Sequence, residues 1–115
     1  MLAAGDVGLS FIRPCFSKMG SSPTKVAEYL ASGVVAVVNG GVGDMGDLAG
    51  TDGCVVLPAL LSTEDIDRGA MSVCALIEQP YARRAESARR IALDRFSVRG
   101  VAVPRYEQLY EAICR

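Results

Sequence analysis

The stretch from Gly20 to Gly33 most constrains the fold, because it predicts a helix whose two ends are both marked in the sequence. Ser22 suits the N-cap, since its hydroxyl can accept from a free backbone N–H of the first turn. Pro23 suits the first helical position, where the missing N–H costs no hydrogen bond. Gly33 suits the left-handed residue that ends a helix.

The predicted helix is amphipathic and has an end that favours anions. At about 100° per residue, Lys25, Glu28 and Ser32 fall on a polar face, opposite a face that can pack. The free N–H groups of the first turn and the helix dipole both favour negative charge. The N-terminal end of this helix is therefore a predicted phosphate site.

A run of β-branched and apolar residues follows the helix directly, at 34–38. Such a run predicts a strand that is buried on both faces. Two further strands are predicted at 7–12 and 55–57, the latter after a long Gly- and Asp-rich loop at 39–53 with one helical turn near 45–48. Strands that alternate with helices predict a parallel sheet with right-handed crossovers.

The second half of the chain predicts helices. Ser62 or Thr63 caps the first of them. An apolar stripe at helical spacing follows the cap, formed by Ile66, Ala70, Val73 and Ile77. Residues 81–95 form the next helix. Its arginines are predicted to lie on the solvent side, namely Arg83, Arg84, Arg89 and Arg90.

A last helical segment is predicted after Ser97, which suits its cap, with a kink or restart at Pro104. Tyr106 and Tyr110 are predicted to pack there. The predicted order is β-α-β-loop-β-α-α-α, an α/β fold. We expect a partial Rossmann-like domain: a small parallel sheet of about three strands, flanked by helices and followed by a helical C-terminus.

Composition narrows the functional classes. The chain has 115 residues, enough for one domain, and a net charge of -1 at pH 7 with a sequence pI near 5.3, which argues against a nucleic-acid or anionic-membrane binder. It has no histidine, and its four cysteines form no C-x-x-C pair, so no metal site is expected. The cysteines are interpreted as reduced thiols of a cytoplasmic protein and as small core residues, with exposure left open for Cys15 and Cys114. No apolar run reaches the roughly 20 residues of a transmembrane span.

Three stretches together resemble the donor-binding half of a GT-B glycosyltransferase of the retaining group 1, or family 4. They are residues 4–11, the Ser-Ser-Pro-Thr-Lys-Val-Ala-Glu-Tyr-Leu-Ala-Ser-Gly of 21–33, and the Gly-Val-Gly-Asp of 41–44. The Arg-Phe-Ser at 95–97 resembles the start of that family's closing helices. The resemblance implies that residues 1–115 are the C-terminal part of a nucleotide-sugar-binding domain. Such enzymes transfer a sugar from a nucleotide-diphosphate donor with retention of configuration.

The resemblance also implies roles for individual residues. Those that would hold the donor diphosphate are Gly20, Ser21, Ser22 and Thr24. Lys25 would lie near that charge, and Glu28 matches the glutamate that accepts hydrogen bonds from the ribose hydroxyls. A carboxylate accepts two hydroxyls well, and helix N–H groups with a lysine can stabilise a diphosphate without a metal, so no cofactor is expected. Gly41, Gly43 and Asp44 form a candidate ligand loop, and the catalytic residue is unknown.

The chain also departs from the family pattern. Gly20 stands where the family often has a second glutamate, and Val35 stands where it usually has a proline. The acceptor-binding domain and the front of the donor domain, with its basic residue for the phosphates, are not found in residues 1–115. We therefore expect a fragment that is inactive alone, whose exposed sheet edge another domain or a second copy covers.

Two other functions compete with this interpretation. The first is a non-enzymatic Rossmann-like remnant that acts through self-association or a partner. The second and weaker one is a dinucleotide-binding oxidoreductase fragment, because residues 41–46 match G-x-G-x-x-G after a strand. No good helix follows that motif, and no acidic residue ends the next strand. Lys25 and Glu28 could also form a simple exposed ion pair.

Overall fold

The computed structural model describes residues 5–115 and contains one parallel sheet of three strands in the order β1-β2-β3. The strands are β1 (Val7–Ser10), β2 (Val35–Asn39) and β3 (Cys54–Leu57). The predicted α/β fold with a small parallel sheet is confirmed. Strand ends differ slightly from the prediction: β1 stops at Ser10 rather than residue 12, and β2 continues to Asn39.

Helices occupy most of the remaining chain and follow the predicted order. The helices are α1 (Thr24–Ala31), α2 (Thr63–Ile77), α3 (Tyr81–Phe96) and α4 (Val103–Ile113). Short 3-10 turns lie at Phe16–Lys18 and Met45–Leu48, and a π-helical turn at Val98–Ala102 joins α3 to α4. Across residues 5–115, none of these helices is both long enough and apolar enough to cross a bilayer.

The start of α1 differs from the prediction by one residue. Pro23 lies at the N-cap in extended conformation, and no side chain caps the helix, so the Ser22 N-cap prediction is wrong. The physical reason is that the N–H of Val26 bonds the Pro23 carbonyl at 3.1 Å, which starts the helix after the proline. The predicted C-terminal stop is confirmed, because Gly33 has a φ of 79°. The first turn of α1 therefore begins without a side-chain acceptor.

The main core lies between one face of the sheet and the helices α1 and α3. Its buried members come from α1, β2, β3, α3 and the loop after β2, and include Val26, Leu30, Ala36, Val38, Met45, Leu48 and Ile91. Gly53, just before β3, allows α3 to pack closely, since a Cβ there would lie 2.7 Å from the Cα of Ala88. This contact lets α3 lie close against the start of β3.

The opposite face of the sheet is only partly covered. Val73 and Leu76 of α2 pack there, but Gly69 is the one fully buried residue of this helix. The predicted apolar stripe is therefore partly wrong: Ile66 and Ile77 remain 53% and 42% exposed. Since α2 packs mainly against β3, the β1 edge of this face stays open.

The arginines of α3 do not all face solvent. Arg83, Arg89 and Arg90 are exposed as predicted, but Arg84 is buried, which corrects the prediction for that residue. The Nη2 group of Arg84 donates to the Asp6 carboxylate, and its guanidinium lies 5.6 Å from the centroid of the Tyr81 ring. The cause is that the first turn of α3 passes beside the beginning of β1.

Two packing predictions fail at the surface. Cys54 is buried as expected of a small core residue, and Cys15 and Cys114, whose exposure the sequence leaves open, are exposed; Cys74 is exposed contrary to the prediction. In α4 no residue is buried, and Tyr106 and Tyr110 are 62% and 65% exposed, so they do not pack as predicted. The radius of gyration, 15.4 Å, exceeds the roughly 13 Å expected of a compact domain of this length, in keeping with a helix that projects from the core.

Candidate binding cleft

Three loops meet at the carboxyl edge of the sheet, where ligands of open parallel α/β folds usually bind. The buried Asn39, at the end of β2, ties the first two loops together. Its Oδ1 accepts from the Ile12 N–H at 2.9 Å, and its Nδ2 donates to the Ile12 carbonyl at 2.8 Å. A longer bond, of 3.2 Å, reaches the Gly40 carbonyl. Asn39 thus positions the loop that leads to α1.

The Gly-rich loop after β2 packs directly against the loop before α1. Gly43 has a φ of 48°, and its N–H donates to the Lys18 carbonyl at 2.9 Å. A side chain at this position would overlap the Ser21 carbonyl oxygen. The missing side chain of Gly43 therefore makes room for the backbone of the loop before α1, and not for a ligand. Gly41 likewise lies against Pro14 and Ala59.

A groove of about 450 Å³ runs between the exposed sides of α1 and α3, which pack against each other. Thr24 and Glu28 line its α1 side, and Arg89, Phe96 and Ser97 line the opposite side. Glu28 is exposed, and the ion pairs formed by residues 5–115 do not include one between it and Lys25. The carboxylate of Glu28 is therefore available to a ligand in the groove.

A second groove, of about 470 Å³, continues from the first and shares Phe96 and Ser97 with it. Ser22 and Asp44 line one side, and Arg95, Arg105 and Tyr106 line the other. Because they share these residues, the two grooves adjoin, and we refer to them together as the cleft. It runs from the middle of α1, past the N-terminal end of that helix, to the first turns of α4.

Lys25 lies outside the cleft. It lines a separate depression beside the end of β1, together with Leu9, Phe11 and Pro23. Thr24 borders both features. Of the residues predicted for the site, the structure brings Ser22, Thr24, Glu28 and Asp44 to the cleft. The others, which do not line it, are Gly20, Ser21, Lys25, Gly41 and Gly43.

Sequence reasoning missed the wall that faces α1. Arg89 is predicted to lie on a solvated helix face, and Ser97 is predicted as a helix cap. Arg95 is singled out only by the resemblance of the Arg-Phe-Ser stretch. Arg95 donates to the Asp47 carbonyl at 3.3 Å, which links α3 to the Gly-rich loop. The sequence signal was limited to the helix restart at Pro104, which places Arg105 in the first turn of a new helix but not beside the cleft.

The cysteine thiols do not line the cleft. Burial raises the pKa of Cys54 to about 12, so its thiol stays protonated at neutral pH. A hydrogen bond with the Ser17 hydroxyl lowers the pKa of the exposed Cys15, with smaller contributions from Lys18 and backbone groups. Within the described part of the chain, no three His, Cys, Asp or Glu side chains are grouped so that they could hold a metal ion.

Comparison of this chain with protein-family models, with curated proteins and with solved structures gives no match. The residues of the cleft and the resemblance to retaining glycosyltransferases are therefore the grounds for a function.

Proposed function

We propose that this chain is the donor-binding half of a retaining glycosyltransferase and that the cleft holds a nucleotide-diphosphate sugar. One observation carries the proposal: Ser22, Thr24 and Glu28, which the resemblance assigns to the donor, line two adjoining grooves that share Phe96 and Ser97. Thr24 and Glu28 are one helical turn apart in α1, so they share a groove because of the helix itself. Ser22 and Asp44 come from two different loops and line the same groove, and this meeting of loops supports a common ligand.

The chemistry of these residues suits a nucleotide. The Glu28 carboxylate, without an ion-pair partner among the described residues, can accept two hydrogen bonds from the vicinal hydroxyls of a ribose. The hydroxyls of Ser22 and Thr24 can donate to phosphate oxygens. The first-turn N–H groups of α1 add the positive end of the helix dipole. Lys25 lines the separate depression beside the end of β1, so we assign it no contact with phosphate.

The proposal extends to activity and to partners. We propose that the chain binds a donor without transferring its sugar, because the acceptor-binding part of the enzyme is not found in these residues. Another domain, or a second copy, would complete the active site and cover the open β1 edge. Cytoplasmic location is part of the same proposal, since exposed free thiols at Cys15, Cys74 and Cys114 suit a reducing compartment.

Isothermal titration with a panel of UDP- and GDP-sugars tests this function. Glu28→Ala should abolish the binding of the preferred donor, whereas Glu64→Ala, an exposed glutamate in the first turn of α2, should leave it unchanged. Failure of every nucleotide-sugar to bind would contradict the proposal. Equal binding by the Glu28 variant and the parent chain would also contradict it.

A self-associating module without nucleotide affinity is the second candidate. The exposed apolar side chains of β1 and α4 favour it, including Leu9 at 60%, Tyr110 at 65% and Ile113 at 69% exposure. If this function holds, sedimentation equilibrium shows a tight oligomer, and titration with nucleotide-sugars shows no heat. A monomer that binds a nucleotide-sugar excludes it.

The dinucleotide-binding alternative receives no support from the loop after β2. A 3-10 turn of four residues, Met45–Leu48, follows the motif, so the loop does not lead into an α-helix whose N-terminus could hold a pyrophosphate. The side chains of Val42, Met45 and Leu48 are buried in the core. The glycine-rich loop is therefore a packed connection between strands.

A further inference from the structure

The cleft contains more positive charge than the resemblance assigns to it. In its α1–α3 part, Arg89 faces a single carboxylate, that of Glu28. In the part beside α4, the lining residues include Arg95 and Arg105 and a single carboxylate, that of Asp44. Two cations against one anion make that end of the cleft net positive, while the Glu28 end is balanced.

The two arginines at the α4 end of the cleft have hydrogen-bond donors that a ligand can use. Among residues 5–115, the ion pairs do not involve Arg105, and Arg95 uses one N–H for the Asp47 carbonyl. An arginine presents five donors in a planar fork, so most of those of Arg95 remain available. The Ser97 hydroxyl accepts from the Gly100 N–H at 3.0 Å, which leaves its own hydrogen to donate.

Local structure explains why Arg105 reaches the cleft. Ser97 ends α3, and the π-helical turn Val98–Ala102 redirects the chain before α4 begins. Pro104 lies in the first turn of α4, where it needs no N–H partner, and Arg105 follows directly. The side chain of Arg105 consequently lines the same cavity as Ser22, which precedes α1.

We infer that Arg105, assisted by Arg95, is the phosphate-binding cation of this cleft, and that a ligand lies with its diphosphate toward α4 and its sugar hydroxyls toward Glu28. Guanidinium groups match phosphate oxygens in bidentate geometry, which a lysine does not. The inference rests on the proposed function for the nucleoside part of the ligand. For the diphosphate it depends only on the charge and shape of the cleft.

Inorganic pyrophosphate is the probe that separates these two parts. Titrated into the full chain at low salt, it should bind, and Arg105→Gln should weaken that binding about tenfold or more, as expected for loss of a charge-assisted contact. Arg99→Gln is the matched control, because it removes the same charge from an exposed position in the π-helical turn, outside the cleft lining. Circular dichroism verifies that both variants keep the parent fold.

The outcomes distinguish the two proposals. If nucleotide-sugars bind and depend on Glu28, but Arg105→Gln changes neither their binding nor that of pyrophosphate, the inference is overturned and the proposed function stands. If pyrophosphate binding depends on Arg105 but no nucleotide-sugar binds, the anion site stands and the proposed function fails. Equal weakening by Arg99→Gln would reveal a general charge effect and overturn the inference.

Discussion

Asn39 bonds both backbone groups of Ile12, a residue 27 positions earlier, with its own side-chain amide. The amide thereby continues the pairing of β1 with β2 two residues beyond the end of β1. Asn39 is only 3% exposed, so this pairing is shielded from water. The loop that leads into α1, and with it one wall of the cleft, depends on a side chain rather than on the sheet ladder.

Replacement of Asn39 by alanine should destabilise the protein by about 2 kcal/mol, because it leaves the N–H and carbonyl of Ile12 without their partner in a partly buried site. Urea unfolding followed by circular dichroism measures this loss. Ser72→Ala is the control, since it removes one exposed hydrogen bond, to the Arg68 carbonyl, and should change stability by less than about 0.5 kcal/mol. Similar losses for the two variants would contradict the role given to Asn39.

Gly53→Ala should lower the free energy of unfolding by about 1–3 kcal/mol, the usual range for overpacking a core. The added methyl group would meet the backbone of α3, at 2.7 Å from the Cα of Ala88, and a helix backbone cannot move aside as a side chain can. Gly46→Ala should be neutral, because nothing lies within 4 Å of a Cβ there. The melting temperatures of the two variants, each compared with that of the parent, test these expectations. A Gly53→Ala variant as stable as the parent would show that α3 does not pack this closely.

Alkylation of the native protein should distinguish the cysteines by their rates of reaction. Cys15 should react readily at pH 7.5, because its lowered pKa increases the thiolate fraction, and Ser17→Ala should slow that reaction by removing the stabilising hydrogen bond. Cys54, buried and with a pKa of about 12, should react only after unfolding. Mass spectrometry after timed iodoacetamide exposure gives the rates. Rapid labelling of Cys54 in the native state would contradict its burial.

The capping box of α2 should make stability depend on acid pH. Ser62 donates through its hydroxyl at 2.7 Å and its N–H at 3.0 Å to the Asp65 carboxylate, and these bonds lower the pKa of Asp65. A carboxyl whose pKa is depressed on folding stabilises above its unfolded pKa, and this contribution disappears as the pH falls through the folded value.

Asp65→Asn should therefore be less stable than the parent at pH 7, and the difference should shrink as the pH is lowered below the pKa of Asp65. Urea midpoints at neutral and acid pH measure this difference. Asp67→Asn, on the same helix but outside the capping box, serves as the comparison. A difference between Asp65→Asn and the parent that stays constant with pH would argue against the capping role of Asp65.

The order of elements could be predicted because its signals are local. Gly33 ends α1 with a positive φ, Ser62 caps α2, and Pro104 lies in the first turn of α4, as their residue types indicate. Packing partners could not be predicted in the same way. Helical spacing shows that Tyr106 and Tyr110 share a face, but not whether another element covers that face.

The same limit explains why only one wall of the cleft could be predicted from the sequence. The α1 wall of the cleft came from a contiguous stretch, so Thr24 and Glu28 could be recognised together. The facing wall depends on where α3 and α4 lie relative to α1, to which the Gly53 contact and the π-helical turn contribute. For that reason Arg105 could not be assigned to the site before the structure was known.

The exposure of α4 has a consequence for hydrogen exchange. A helix that buries none of its side chains opens at little free-energy cost, so its amides should exchange far faster than those of β2, whose five residues are all buried. Arg105 is thus carried by an α-helix that buries none of its residues. An anion held between Arg105 and the α1 wall would have to restrain that opening, so ligand binding would appear as slowed exchange along α4.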